Sequence, residues 1–515
     1  MFRLLHVKIE TELGTIHKDL LVIDGHSHLG RDVDGAEMMN PLAPGTGTFD
    51  FWANVQAKLR EEWNKKGTQS FAVELGGQIT HYSFEFSPLR FWDRVVSHVS
   101  SNTEGTYREL YNKTRGSTLI DQGVVFPFQD VFRDNKPEAR YRASNMNVSR
   151  FTTRFPFSLR LIGYCRVDPL EGDKAVREVT FAATQLGVRG LKLHPRSEGW
   201  IDHVDSDLAV AVLVEAAKHS LPVIFDTRGR KSILDIANLV ARTRNTLQNG
   251  HPELVPHLKV LVGHCAQGNV GDVEVYRALV QPNTWGELSM LHGQGAANFF
   301  EDFRRWYAES GLQAKTGRRW SEYFIFGTDY PYFGDMHAAK LVAPIISPRF
   351  FQSGGTIEDV ENILGKNLVK LLPEYGKPVT ETRPVPKSST FVMQPSPNED
   401  ATDAAFRAIA ILLERGDLDV RKVLFQFAGD FNTFNEEFLV EAFSPKTKQA
   451  VKLVLMNFVK GRATLLSTLA EGTTWKPLGF KYFNPDDRNF FLESFSKSAC
   501  TSTDAETASQ VAQMF

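Results

Sequence analysis

The sequence is poor in cysteine. Cys165, Cys265 and Cys500 are the three in 515 residues, an odd number without paired spacing, which excludes a disulfide framework and a cysteine-based zinc ribbon. Long hydrophobic runs are missing too. No stretch approaches the roughly 18 apolar residues of a membrane span, and the opening "MFRLLHVKIETELG" is broken by charges before it can form a signal-peptide core. A cytoplasmic address is the expectation. Nor does one sign of charge dominate: 59 Lys and Arg stand against 61 Asp and Glu, a formal net charge of -2. Without a basic stripe, nucleic acid is disfavoured as a partner and a small molecule fits best.

What is present is the composition of a folded globular protein, 42% hydrophobic and 23% charged. The length exceeds one ordinary core, so a large domain with additions is expected. From residue 20 to about 370, short apolar runs alternate with segments of helical period, the pattern of βα units on a parallel sheet. Eight runs qualify as strands: "LLVID" (20–24), "TLIDQGVVF" (118–126), "LRLIGYCRV" (159–167), "VRGLKLH" (188–194), "LPVIFDT" (221–227), "LKVLVGH" (258–264), "TWGELSM" (284–290) and "YFIFGTD" (323–329). The spacing predicts an α/β fold, a (β/α)8 barrel over residues 1–380 with a long helical insertion at about 31–117, after the first strand. Pro, Ser and Thr crowd the segment 381–397, which reads as a linker. Beyond it, residues 398–495, including "FNEEFLVEAFS" and "PKTKQAVKLVLMNFVKGRATLLSTLAEG", read as a mainly helical accessory domain, and 496–515 as a mobile tail.

Polar residues interrupt these strands at their C-terminal ends, where a barrel carries its site. His26 and His28 flank Ser27 and project to one side of an extended chain. Asp226 ends the fifth strand, His264 the sixth and Asp329 the eighth. Each has a plain structural reading by itself: a satisfied strand-end histidine, a helix cap at Asp329, a pairing of Asp226 with Arg228 or Arg230. Together, at the first, fifth, sixth and eighth positions, they point to a metal or catalytic cluster. Their nitrogen and oxygen donors suit Zn²⁺, Mn²⁺ or Fe²⁺ rather than an all-oxygen magnesium site. Lys192 and His194 lie on one side of the fourth strand. Arg228 offers a fork for a substrate carboxylate. Trp200, His292, Tyr330 and His337 sit on or near strand-end loops.

The runs "VIDGHSHLG", "RLIGYCRVDP", "GVRGLKLHP", "LPVIFDTRG", "KVLVGHCAQGN" and "FIFGTDYPYF" resemble the successive strand motifs of the amidohydrolase superfamily, in the branch that includes aminocarboxymuconate-semialdehyde decarboxylase, and "ENILGKNLVKLL" resembles its closing helix. The resemblance covers about residues 20–373 outside the insertion. It implies a divalent metal, zinc foremost, with manganese or iron as alternatives, held by His26, His28, Asp329 and, in the place of the family's fifth-strand histidine, Asp226, with His264 nearby. It also shows a departure, because Asp226 stands where the family has histidine. Lys192 matches a fourth-strand lysine that bridges two metals in some branches; it could equally contact an anionic substrate or neutralise Asp226 or Asp329.

On this reading the chain is a metal-dependent hydrolase that attacks a C–N or C–O bond with activated water, Asp329 shuttling the proton, His264 steadying the oxyanion, and Lys192, His194 and Arg228 binding substrate. Two alternatives stay open. One is non-oxidative decarboxylation of an aromatic or unsaturated acid. The other is a metal-free barrel acting as a sensor or assembly module, motivated by Asp226 and the C-terminal region, which could also serve a homo-oligomer or a protein partner.

Overall fold

The structure is a computed structural model that describes residues 5–29, 69–86, 120, 122–127, 138–152, 161–265, 270–330 and 341–373, and in the C-terminal region 390–393, 419–428, 435–444, 449–458, 463–468 and 479–482. All eight expected barrel strands form, each shorter than its apolar run. The first is split into β3 (Ile23–Asp24) and β4 (His28–Leu29), both parallel to β7 (Gln122–Pro127). The third is split into β8 (Leu161–Gly163), which pairs with β7, and β9 (Cys165–Arg166). The sheet then runs in parallel through β10 (Leu191–Leu193), β11 (Val223–Phe225), β12 (Val260–Val262), β13 (Thr284–Glu287) and β14 (Phe324–Ile325). Backbone bonds from Gly25 N to Phe326 O (3.0 Å) and from His28 N to Tyr330 O (2.9 Å) join the eighth strand to the first. The barrel is therefore closed and has no free edge.

Closure explains why the first apolar run stops at Gly25. A Cβ there would stand 2.9 Å from Phe326 O and 3.0 Å from Ile325, so only glycine lets the two strands meet. Helices cover the outside, among them α1 (Arg142–Thr152), α2 (Asp173–Gln185), α3 (Asp207–Lys218) and α4 (Gly229–Gly250). The Asp-Pro signal acts locally: Asp168 accepts the Leu170 amide and caps the 3₁₀ turn Pro169–Glu171 that leads into α2. Ser206 caps α3 through Ala209 N. Strand side chains such as Val223, Phe225, Val260 and Val262 are buried, as both faces of a parallel sheet require.

Two expectations fail. The N-terminal region and the insertion contribute strands: β1 (Leu5–Thr11), β2 (Gly14–Leu20), β5 (Gln69–Leu75) and β6 (Gln78–Phe86) form an antiparallel sheet in the order β2-β1-β6-β5. Gly76 and Gly77, at φ 61° and 81°, make the two-residue turn between β5 and β6 that only positive-φ residues allow. Val7, Ile9, Val73 and Phe84 are buried, and Tyr82 stacks on Phe351 at 4.4 Å. The remainder of the expected helical insertion lies outside the described residues.

The C-terminal region, expected to be helical, is an antiparallel sheet wherever it is described. Its strands β15 (Thr390–Met393), β16 (Asp419–Ala428), β17 (Asn435–Ser444), β18 (Gln449–Phe458), β19 (Ala463–Thr468) and β20 (Gly479–Tyr482) run in the order β15-β19-β18-β17-β16-β20. Spacing in "AVKLVLMNFV" satisfies a helical and an extended period equally, and ten-residue partners in register (Ser444 to Gln449, Asn435 to Phe458) decide for the strand. Among the described residues no helix is long and apolar enough to cross a membrane.

Candidate metal and catalytic centre

The C-terminal strand ends bring the sequence candidates together. His26 Nε2 lies 3.4 Å and His28 Nε2 3.1 Å from Asp329 Oδ1. His264 Nε2 is 3.8 Å from Asp329 Oδ2 and donates to Asp226 Oδ1 at 3.2 Å. Residues some three hundred positions apart thus share one small volume, and all five side chains are buried. His26, His264 and Asp329 form the tight group able to hold a metal among the described residues. His264 and Asp329 both take left-handed backbone, at φ 53° and 57°, uncommon for residues other than glycine.

The substrate-side candidates divide. Lys192 Nζ is buried, donates to His26 Nε2 at 3.1 Å and lies 4.8 Å from the centre of the Phe126 ring. His194 Nδ1 is 3.5 Å from Asp226 Oδ2. Arg228 is paired with Asp226 at 3.4 Å while 40% of its side chain faces solvent. Trp200 is buried and donates to Glu198 Oε2 at 3.0 Å. Tyr330 contributes its backbone to barrel closure. His292 is exposed at the start of its helix, and His337 lies outside the described residues.

Three polar groups were missed by the sequence reading. Glu287, fully buried at the end of β13, accepts His26 Nδ1–H at 2.8 Å. Asp24 receives the His26 and Thr328 amides and the Ser27 and Thr328 hydroxyls, at 2.6–3.1 Å, and so ties the first strand end to the eighth. Arg166, at the end of β9, pairs with Glu198 at 2.8 Å in a wholly buried ion pair. Each follows an apolar run directly, which is the signal that singled out Asp226, His264 and Asp329.

Electrostatics sort the groups. Burial pushes Glu287 up to about 7, although His264 and Ser289 pull it down. Burial likewise lifts Asp24 to about 6 against its four donors. His28 falls to about 4 through burial, which Asp329 only partly offsets. Burial, reinforced by Lys192, takes His26 well below its usual range. At Asp329 and Asp226 burial acts upward but loses: His264, His28 and Lys192 hold Asp329 low, while His194, His264 and Lys192 hold Asp226 low. His264 is raised, because Asp329 and Asp226 outweigh its burial. The centre therefore sets two carboxylates held low and one histidine held high beside two histidines held low, all buried together.

The amidohydrolase family model matches residues 122–373. Residues 122–373 belong to the amidohydrolase superfamily. The match begins at the second strand of this amidohydrolase barrel; His26 and His28 enter it through the pairing of β3 and β4 with β7. No curated protein matches the chain. Among solved structures, 5-carboxyvanillate decarboxylase LigW from Sphingomonas paucimobilis aligns at 13% identity and TM-score 0.34, covering 68% of this chain and 98% of its own. A putative amidohydrolase from Staphylococcus aureus aligns at 12% and 0.36, covering 68% and 99%. The 4-oxalomesaconate hydratase from Rhodopseudomonas palustris aligns at 11% and 0.35, covering 68% and 95%. Likenesses this distant carry no argument about substrate or reaction.

Proposed function

We propose that the barrel mouth is the centre of a divalent-metal-dependent hydrolase acting on a C–N or C–O bond of a small molecule. One observation carries this: the Nε2 atoms of His26 and His28 converge on a single oxygen of Asp329 at 3.4 and 3.1 Å. Ligands bound tetrahedrally at 2.0–2.1 Å stand about 3.4 Å apart, so the donor set is spaced for an ion. The residues also fit its charge, because the ammonium of Lys192 already rests against His26 Nε2. Burial brings that ammonium down to about 8, so its proton is one the site can release. His26, His28 and Asp329 would hold the ion, with Asp226 behind His264; mixed nitrogen and oxygen donors suit zinc, manganese or iron.

When bound, such an ion polarises a carbonyl and lowers the pKa of water from 15.7 towards about 7. Asp329, kept as the carboxylate, accepts a proton from the attacking water and passes it to the leaving group. His264, kept protonated, donates Nε2–H to the developing oxyanion. Lys192, beside His26, and His194 and Arg228, beside Asp226, would orient an anionic substrate.

A second reading, loss of carbon dioxide from an aromatic or unsaturated acid, uses the same cage and draws on Lys192, a buried cation beside His26 that suits a substrate carboxylate. Metal analysis of purified protein, followed by a screen of amides, esters, lactones and aromatic acids with product identification, tests both. Expected are about one bound divalent ion per chain and turnover that Asp329→Asn lowers at least about a hundredfold. Carbon dioxide release would select the second reading. Protein without affinity for zinc, manganese or iron would reject both and favour the metal-free alternative.

A further inference from the structure

Glu287 has no part in the steps above, yet it is tied to both histidines that face Asp329 from the first and sixth strands. Its Oε1 accepts the Ser289 amide at 2.6 Å. Its Oε2 accepts the Ser289 hydroxyl at 2.7 Å and His26 Nδ1 at 2.8 Å, with the His264 amide at 3.4 Å. A hydroxyl has one proton to give. Ser289 gives it to the carboxylate, so the contact of 2.8 Å between Ser289 Oγ and His264 Nδ1 has the histidine as donor. Lys192 fixes His26 independently: an ammonium only donates, so at 3.1 Å it needs a lone pair on Nε2 and leaves the ring proton on Nδ1, against Glu287.

The surrounding backbone leaves room for this carboxylate. A Cβ at Gly327 would collide with Glu287 Oε1 and come within 2.9 Å of His26 Cβ. At Gly263 it would stand 2.6 Å from Phe225 O and 3.4 Å from His26 Cε1. Both glycines belong to strand-end runs, "LVGH" and "FGTD", that also carry His264 and Asp329.

From this geometry we infer that Glu287 is a positioning residue: it holds a ring proton of His26 directly, and one of His264 through Ser289, on Nδ1, so that His26 turns a bare Nε2 to the ion and His264 turns its Nε2 to Asp226 and the reacting group. The inference rests on the metal-centre reading for its purpose but not for its geometry. A carboxylate holding the distal nitrogen of a ligating histidine fixes its orientation and makes it a better donor. Glutamine cannot replace it. Its oxygen is claimed by the Ser289 amide, so its NH₂ faces His26 Nδ1 and two donors oppose each other unless the ring proton moves to Nε2.

The test uses full-length protein labelled with ¹⁵N-histidine, His26→Gln assigning the His26 signals. Wild-type, Glu287→Gln and Ser289→Ala are compared metal-free, titrated with Zn²⁺, and by visible spectra after loading with Co²⁺. Expected are the Nδ1–H form of His26 in wild-type, the Nε2–H form in Glu287→Gln, and Zn²⁺ binding weakened about 10- to 100-fold with an altered cobalt spectrum. Ser289→Ala should move the His264 signals most, leave His26 in its Nδ1–H form, and weaken binding less. Unchanged His26 signals with unchanged Zn²⁺ affinity in Glu287→Gln would overturn the inference. If Glu287→Gln does not fold, Ser289→Ala decides, and unchanged His264 nitrogen signals would sink it. Were wild-type to bind no metal, the proposed function would fall, while the His26 spectra would still decide the role of Glu287.

Discussion

Before β14 the chain passes Arg319 and Ser321; after it the chain reaches Asp329, and both ends of this strand bury a carboxylate. At the lower end Asp359 takes two contacts to one oxygen and one to the other from Arg319, at 3.1–3.2 Å. It also accepts from Ser321 at 2.6 Å and from the Thr356 amide and hydroxyl, both at 2.9 Å. Every lone pair there meets a donor of fixed geometry, the condition under which a buried charge is tolerated. At the upper end Asp329 faces ring nitrogens of His26, His28 and His264, each already engaged with Lys192, Phe126 or Asp226 as well. The lower cluster is closed and holds helices against the barrel. The upper one packs acids, imidazoles and an ammonium together and keeps two of them, His264 and Asp329, on left-handed backbone, as a site prepared for a ligand does.

The contrast breaks if the two aspartates respond alike to removal. Asp359→Ala strands the half-buried Arg319 and the buried Ser321 hydroxyl, and should cost about 2–4 kcal/mol in denaturant unfolding. Asp329→Asn should cost less, about 1–2 kcal/mol in the metal-free protein, because asparagine tolerates the left-handed backbone and gives up only the charge that His264, His28 and Lys192 favour. Equal losses would mean that the mouth is as structural as the base.

A second effect belongs to Lys192. It releases its proton near 8 in the folded protein and at its usual 10.5 when unfolded. Between those values the unfolded chain binds more protons, so folding stability of metal-free protein rises with pH from about 8 to 10.5. The gain reaches on the order of 3 kcal/mol. Lys192→Met should abolish that rise when the two stability profiles are compared, and a parallel slope in the variant would rule the assignment out.

Gly327→Ala sharpens the comparison at the mouth itself. The added methyl presses on Glu287 and His26, and a loss of about 1–3 kcal/mol in thermal unfolding is expected, accompanied by weaker Zn²⁺ binding. The smallest effect is a control: the exposed pair Lys231 and Asp235, at 2.6 Å one turn apart in α4, should change the melting temperature unmeasurably when Asp235 becomes alanine.

The sequence by itself determined the barrel and the order of its strands, because each strand is buried on both faces and must be written as an apolar run ending in a turn. It placed His26, His28, Asp226, His264 and Asp329 at strand ends as well, where the closed barrel brings them together, since a His or Asp that interrupts such a run stands at its end. It did not separate extended from helical pairing in "AVKLVLMNFV", where the spacing satisfies both periods and only the partner strands choose. It also left Glu287, Asp24 and Arg166 unread, though they end strands in the same way. Their meaning lies in what they touch, and His26, Ser289, Thr328 and Glu198 reach them only when the sheet closes on itself. Tertiary structure alone settled the pairing of Arg228 with Asp226 and of Lys192 with His26, because a long cation can reach several acids and the nearest one is fixed by closure, not by spacing along the chain.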